Sequence, residues 1–348
     1  MTILIERAIY KQTLFKDSHK KRDVEKMIGF PKIGSKIDEI RIDGDLNVFR
    51  KDLEQYAAIG LEAVEIPLHG LDVIRNGLLN EKRLNLVLEI LRSFDFEYTV
   101  HSPNPLNLME QWNSALHISV FRASLEFTLA IGSNILVYHA GRFIPEETFP
   151  IRNENNISRS VALRLMEIER EHLLRLSEEY PNVIICIENA RPYLFHSPYC
   201  YGERIEPLKE QIEKIGRPNV RVNLDIGHLY MASHFYQFDP VEAVKEVHQF
   251  IAHTHIHDNF GGTIYYHEKI QTHQIPFGRG DAHMPVGWGN IPLAEILAAY
   301  LPSYQGMLMM ELRSRYFDYV KESKENLVFL LQSMTSANRP ISRYSLFR

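Results

Sequence analysis

Six segments of the chain each run from apolar residues into a side chain that binds metals: Thr99-Val100-His101, Val137-Tyr138-His139, Cys186-Ile187-Glu188, Asn223-Leu224-Asp225, His253-Thr254-His255 and Met309-Met310-Glu311. A parallel barrel produces this pattern, because its strands all point one way and its chemistry sits where they end. Asp281 and His283 lie between the fifth and sixth segments, and His228 follows Asp225 by three residues. These nine side chains converge on one mouth, and nine exceed what a single ion holds.

Two more apolar runs, at 26–31 (KMIGFP) and 61–68 (LEAVEIPL), bring the predicted strands to eight, with the others at 96–101, 134–139, 183–188, 220–225, 251–256 and 307–312. They are nearly continuous in apolar residues, as strands covered on both faces are. Helical patterns alternate with them at 45–58, 81–93, 106–131, 158–180, 206–215, 239–250, 292–300 and 321–333; in the second, Leu84, Val87, Leu88 and Leu91 share one face. Strict alternation implies right-handed βαβ units, and eight of them imply closure. The expected fold is an α/β (β/α)8 TIM barrel over residues 26–335, with an N-terminal extension at 1–25, a C-terminal tail at 336–348 and long βα loops at the C-terminal face. The turn Gly29-Phe30-Pro31-Lys32-Ile33-Gly34 lacks the GxGxxG spacing, which argues against a dinucleotide site.

Three connections exceed what a barrel needs: 142–157, 190–205 and 259–280, all rich in aromatic residues and all expected on the catalytic face. They read equally as lids or as packed insertions and oligomer contacts. At 348 residues, with 45% hydrophobic and 24% charged composition, one large core is affordable. The net charge of -5 disfavours a general nucleic-acid surface. The N-terminal stretch has no apolar signal core, no run approaches the roughly 18 apolar residues of a membrane span, and Cys186 and Cys200 are the only cysteines. The expectation is a cytoplasmic protein outside the membrane, with a small-molecule partner, compatible with homo-oligomers.

A carboxylate ending an apolar strand is expensive to bury alone. Glu188, Asp225 and Glu311, with His255, make a mixed shell suited to one divalent ion such as Mn²⁺ or Zn²⁺. Adding His101, His139, His228, Asp281 and His283 extends the expectation to two or three ions per chain, Zn or alternatively Mn or Fe. Other roles stay open: His101 and His139 as core histidines, His228 as a substrate donor, Asp281 and His283 as ordinary loop residues. His253 and His257 flank His255 on the same strand face, and Asp258 is placed to support a ligating imidazole.

The ordered stretches IEN (187–189), NLDIGH (223–228), HIHD (255–258), GWGNI (287–291) and MELR (310–313) resemble the xylose isomerase-like TIM-barrel superfamily, over roughly residues 26–333. That superfamily holds sugar isomerases and epimerases and also endonuclease IV. The resemblance to the epimerase branch implies one ion at Glu188, Asp225, His255 and Glu311, with the two glutamates as acid and base. The resemblance to endonuclease IV implies a trinuclear zinc site that adds His101, His139, His228, Asp281 and His283. Asn104 stands where endonuclease IV carries an aromatic residue for DNA, and Asn189-Ala190-Arg191-Pro192 replaces its Thr-Ala-Gly continuation. The connection from His255 to Asp281 is also longer, so a small substrate is expected rather than abasic DNA.

Two reaction classes follow. A multinuclear phosphoester hydrolase would use Glu188 to bridge ions and place hydroxide, with Arg142, Arg191 or Arg313 clamping phosphate oxygens; those arginines could equally be rim salt bridges. The alternative is a single-metal sugar or sugar-phosphate isomerase or epimerase, in which Glu188 and Glu311 move a proton. His257 joins the arginines as a candidate substrate contact, with His228 and Arg313 holding hydroxyls in the second reading.

Overall fold

A computed structural model describes residues 30–151, 157–268 and 270–336 of the chain. The N-terminal extension expected at 1–25 lies outside the described residues, as does the tail expected at 336–348 apart from Ser336.

Eight parallel strands close into a barrel: β1 (Ile33–Lys36), β2 (Ala63–Pro67), β5 (Glu97–His101), β6 (Ile135–His139), β7 (Ile184–Glu188), β8 (Val220–Asp225), β9 (Ile251–Ile256) and β10 (Leu308–Met310). Around the barrel the order is β1, β10, β9, β8, β7, β6, β5, β2, so chain neighbours are also neighbours in space. A small hairpin of β3 (Ile74–Arg75) and β4 (Leu78–Leu79) stands apart. The helices are α1 (Glu39–Ile42), α2 (Leu46–Ile59), α3 (Glu81–Leu91), α4 (Ser114–Ala130), α5 (Arg159–Glu179), α6 (Ile205–Ile215), α7 (Ile226–Tyr236), α8 (Pro240–Val247), α9 (Leu293–Tyr300) and α10 (Val320–Ser336). Both cysteines are free and buried. No described helix is long and apolar enough to cross a membrane.

The first strand corrects the sequence reading. Phe30 and Pro31, the described part of the expected strand at 26–31, are not in a strand; β1 begins at Ile33. Proline has no N–H to give a central ladder. Gly34 pairs with Ala63, and a Cβ there would stand 2.6 Å from the Ala63 carbonyl oxygen, so only glycine admits β2 at this register. The shift places Lys36 at the end of the strand, facing the mouth. A second difference is α7, which follows β8 with no intervening loop. Asp225 is both the last residue of β8 and the N-cap of α7, accepting from the His228 backbone N–H at 2.6 Å.

The three long connections hold one another. Arg142 bridges to Cys200 and Leu194 to Tyr265. The Phe149 ring stacks on His196 at 4.0 Å and meets Tyr193, Tyr199 and Tyr266 edge-on within 6 Å. Among the described residues, the wall of the mouth comes from 142–147 and 189–199, and 259–280 stands behind it.

Asp258, after β9, binds backbone rather than an imidazole. It accepts from the N–H groups of Asn259 (3.0 Å), Ile291 (3.2 Å) and Gly287 (3.1 Å). A Cβ on Gly289 would lie 2.3 Å from Asp258 Oδ1. The HIHD and GWGNI stretches are thus two halves of a clasp that pins the 287–291 loop under β9. Burial pushes the Asp258 carboxyl up to about 6 while the N–H donors pull the other way. Asp258→Ala leaves these donors without their acceptor, and the expected loss in denaturant unfolding is on the order of 3 kcal/mol; a change under about 0.5 kcal/mol would contradict the clasp.

Candidate metal centre

All nine side chains named from the strand ends and loops meet at the C-terminal mouth, in three adjoining groups. His101, His139 and Glu188 form one, Glu188, Asp225, His255 and Glu311 the second, and His228, Asp281 and His283 with His257 the third; donor atoms within each group lie within 4.8 Å of one another. Glu188 belongs to two groups. Its Oε2 faces His101 Nε2 (3.5 Å) and His255 Nδ1 (3.4 Å), and its Oε1 faces His139 Nε2 (3.7 Å) and His228 Nδ1 (3.4 Å).

The topology explains the second group. β8 and β9 lie side by side and deliver Asp225 and His255 as Cα partners. β7 and β10 flank that pair, so Glu188 and Glu311 close in from opposite sides.

The histidines are oriented as ligands are. His101 Nδ1 lies 2.7 Å from the Ser102 carbonyl, His228 Nδ1 2.9 Å from that of Asn189, and His283 Nδ1 2.9 Å from that of Glu311. Each carbonyl accepts from Nδ1–H, so Nε2, turned toward the carboxylates, is the nitrogen left to bind a metal once it gives up its proton. His255 does the reverse, with Nε2 held 2.9 Å from Glu65 Oε1 and Nδ1 turned 3.2 Å from Glu311 Oε2. The backbone at His283 is strained, with φ +44°, a conformation that a non-glycine residue adopts only under constraint.

Burial opposes charge here, and it prevails at His139 and His283, whose imidazoles fall below their ordinary value, but not at four of their neighbours. Burial is outweighed at Glu188 by His139 and His255, and at Glu311 by Lys36 and His255, so both carboxyls titrate well below the usual range. Glu188, Asp225 and Glu65 drive the other side of the balance: His228 rises to about 10 against burial, and His255 rises well above its ordinary value. Protons on histidines here do the work a cation would do.

This donor set fits divalent ions. Glu311 Oε2, Asp281 Oδ1 and His101 Nε2 are buried without a hydrogen-bond partner, and each belongs to a ligand group. Buried polar atoms are seldom left unpaired, and hard oxygen with imidazole nitrogen is the chemistry of Zn²⁺, Mn²⁺ and Fe²⁺ sites.

Three residues take positions the sequence reading did not assign. Glu65, in the middle of β2 and fully buried, holds both His253 (2.9 Å) and His255 (2.9 Å). Its signal was available, since a carboxylate in the interior of LEAVEIPL needs a partner. Lys36 Nζ lies 2.8 Å from Glu311 Oε1 and 3.2 Å from Glu39 Oε2. His257, expected to touch substrate, is instead fully buried, 3.2 Å from both Asp225 oxygens and stacked on His283 at 3.9 Å. The reason is its neighbour: a Cβ on Gly227 would lie 2.0 Å from the His257 ring, which fills the space that glycine leaves. Arg142, Arg191 and Arg313 line a cavity of about 230 Å³ above the groups. Arg313 is tethered to the Asp281 carbonyl at 3.1 Å.

Glu65→Gln keeps the shape and removes the charge that orients His255. The expected result is a ten- to hundredfold loss of divalent-ion affinity by competition with a chelator dye, with the fold retained; unchanged affinity would show that His255 needs no such anchor.

The family model described as xylose isomerase-like TIM barrel matches residues 53–333. An uncharacterized protein of Methanocaldococcus jannaschii, MJ1614, is 25% identical over 251 residues, which is 70% of this chain and 82% of that protein. Among solved structures, a D-tagatose 3-epimerase-like protein aligns with TM-score 0.64 at 21% identity, over 88% of this chain and 98% of the other. An L-ribulose 3-epimerase aligns with TM-score 0.64 at 14% identity, over 90% of this chain and all 100% of the other. At these identities the two structures speak to the fold; the match over 53–333 speaks to ancestry, and the chain belongs to the xylose isomerase-like TIM-barrel family.

Proposed function

We propose that this chain is a divalent-metal-dependent isomerase or epimerase of a small sugar. The observation that supports it most is the second group: Asp225 and His255 at the centre, with Glu188 and Glu311 closing in from the strands on either side. The names of the structural neighbours, a D-tagatose 3-epimerase-like protein and an L-ribulose 3-epimerase, point the same way. The phosphoester hydrolase expected from the sequence finds no support in those comparisons.

Proton movement next to a carbonyl needs a base on one side of the carbon and an acid on the other, or one group that serves both. A divalent ion held by Glu188, Asp225, His255 and Glu311 would supply the electrophile that acidifies the α-proton. Glu311 is set up as the base: Lys36 occupies Oε1 and holds the carboxylate ionised, and Oε2 is left toward the group. Glu188 faces it as the complementary partner, kept in place by Asn223 Nδ2, which donates to Oε2 at 3.0 Å. Asn104 lines the cavity with a buried, unpartnered Oδ1, an acceptor for a sugar hydroxyl. Tyr199 and the loop wall restrict water.

One observation favours a second reading. His101, His139, His228, Asp281 and His283 complete two further groups that a one-ion isomerase leaves without work. A hydrolase with two or three ions would employ all nine, with Glu188 shared between adjacent ions.

Metal content and isotope exchange separate the two. Protein purified without chelator is expected to hold one tight ion per chain and to wash solvent deuterium into the carbon beside a ketose carbonyl, with Glu311→Gln slowing this by roughly 10²–10⁴-fold. Two or three ions per chain, hydrolysis of a model phosphodiester and no deuterium incorporation would replace the first reading with the second.

A further inference from the structure

We propose that Arg142 and Arg191 form an anion subsite on the wall of the cavity, and that the substrate carries a phosphoryl or carboxylate group. That the substrate is a sugar rests on the reading above; the subsite stands on its own geometry.

Arg142 follows β6, and its side chain is buried although it lines the cavity. Its backbone is pinned by Asn107, whose Oδ1 accepts from the Arg142 N–H (3.1 Å) and whose Nδ2 donates to the Arg142 carbonyl (3.0 Å). The guanidinium donates to the Pro105 carbonyl at 2.8 Å and, more weakly, to that of Leu106 at 3.4 Å, while Nε is buried with no partner. Among the described residues no carboxylate pairs with it. A guanidinium never loses its proton, so a buried one without counter-charge is destabilising. The cost persists where the missing anion arrives with the ligand.

Arg191, after the neighbouring β7, repeats the unpaired Nε but has a distant counter-charge. Nη2 donates to the Tyr193 hydroxyl at 2.9 Å, Nη1 lies a long 3.4 Å from Asp281 Oδ2, and Nε is again buried and unpartnered. Asp281 is the weaker counter-charge because His228 and His283 share the same oxygen, at 3.4 and 2.9 Å. The Arg142–Cys200 bridge ties the two loops together, so both guanidinium groups face one cavity. Glu146 and Glu147 also line this wall; Glu146 accepts from the Tyr193 hydroxyl at 3.2 Å, and neither pairs with Arg142. Two guanidinium groups on adjacent loops, each with an unpaired Nε–H, line one cavity, and such a pair of cationic forks suits the oxygens of a phosphoryl or carboxylate group.

The test uses metal-loaded protein, with inorganic phosphate and D-gluconate as probes and calorimetry as the readout. Arg142→Gln is expected to weaken one of them at least tenfold with metal content and melting unchanged; loss of phosphate names a phosphoryl group and loss of gluconate a carboxylate. Arg142→Lys, which keeps the charge and loses the fork, is expected to fall between and serves if the glutamine variant does not fold. Affinities equal to wild type in both variants overturn the subsite, since the ions alone would then account for binding. The second arm compares deuterium incorporation into D-ribulose and D-ribulose 5-phosphate. A preference for the phosphorylated ketose that collapses through KM in Arg142→Gln supports the subsite and the isomerase together. Equal kcat/KM on both ketoses, joined with Arg142-independent binding, overturns the subsite and leaves the isomerase standing. Arg142-dependent anion binding without exchange on any ketose supports the subsite and sinks the isomerase.

Discussion

Five carboxylates are sealed into one barrel mouth, and the structure depends on how their charge is met. Glu65, Glu188, Asp225, Asp281 and Glu311 are each at most 8% exposed. Like charges at this density cannot all ionise without compensation. Histidine is the side chain suited to supply it, because it accepts a proton or releases it to a metal near neutral pH. The barrel makes the arrangement affordable: parallel strands bring the side chains to one level, and carbonyls at the strand ends fix the imidazole tautomers before any ligand arrives.

Much of this was legible in the sequence, and the exceptions have physical causes. Runs ending in a ligand side chain marked six of the eight strands and six of the nine ligand candidates, because a charged residue that closes an apolar run has few other reasons to be there. Glu65 escaped because it sits inside its run rather than at the end, where its charge reads as an interruption of the strand. Lys36 escaped because KMIGFP looks more like a strand than IGSK does; the preference for IGSK lies in the close approach of Gly34 to Ala63, a contact that no local pattern encodes. Helix α7 is apolar around most of its circumference, so no amphipathic period announced it, and its start signal was the aspartate already assigned to the metal centre.

The pattern could not decide between reaction classes, and the reason is chemical. Glu188, Asp225, His255 and Glu311 are the minimum for one ion and also a subset of what several ions need. A shared core with optional neighbours lets one fold host proton transfer and hydrolysis, and the choice then falls to the cavity wall. Here that wall carries two guanidinium groups with unpaired Nε–H groups and an amide acceptor at Asn104, which would suit the compact, hydroxylated, anionic molecule proposed above.

Glu188 gives the mouth a property that none of the separate groups has. Its two oxygens face different partners, so whatever engages one oxygen sets the direction and charge left on the other. Ion binding at the first group and at the second would therefore be thermodynamically linked, and the linkage reciprocal. An ion at His101 and His139 would change the affinity at Asp225 and His255 by the same factor as the reverse. Two ions in the mouth would form a coupled system, in which the order of loading leaves the final free energy unchanged while each step depends on the one before.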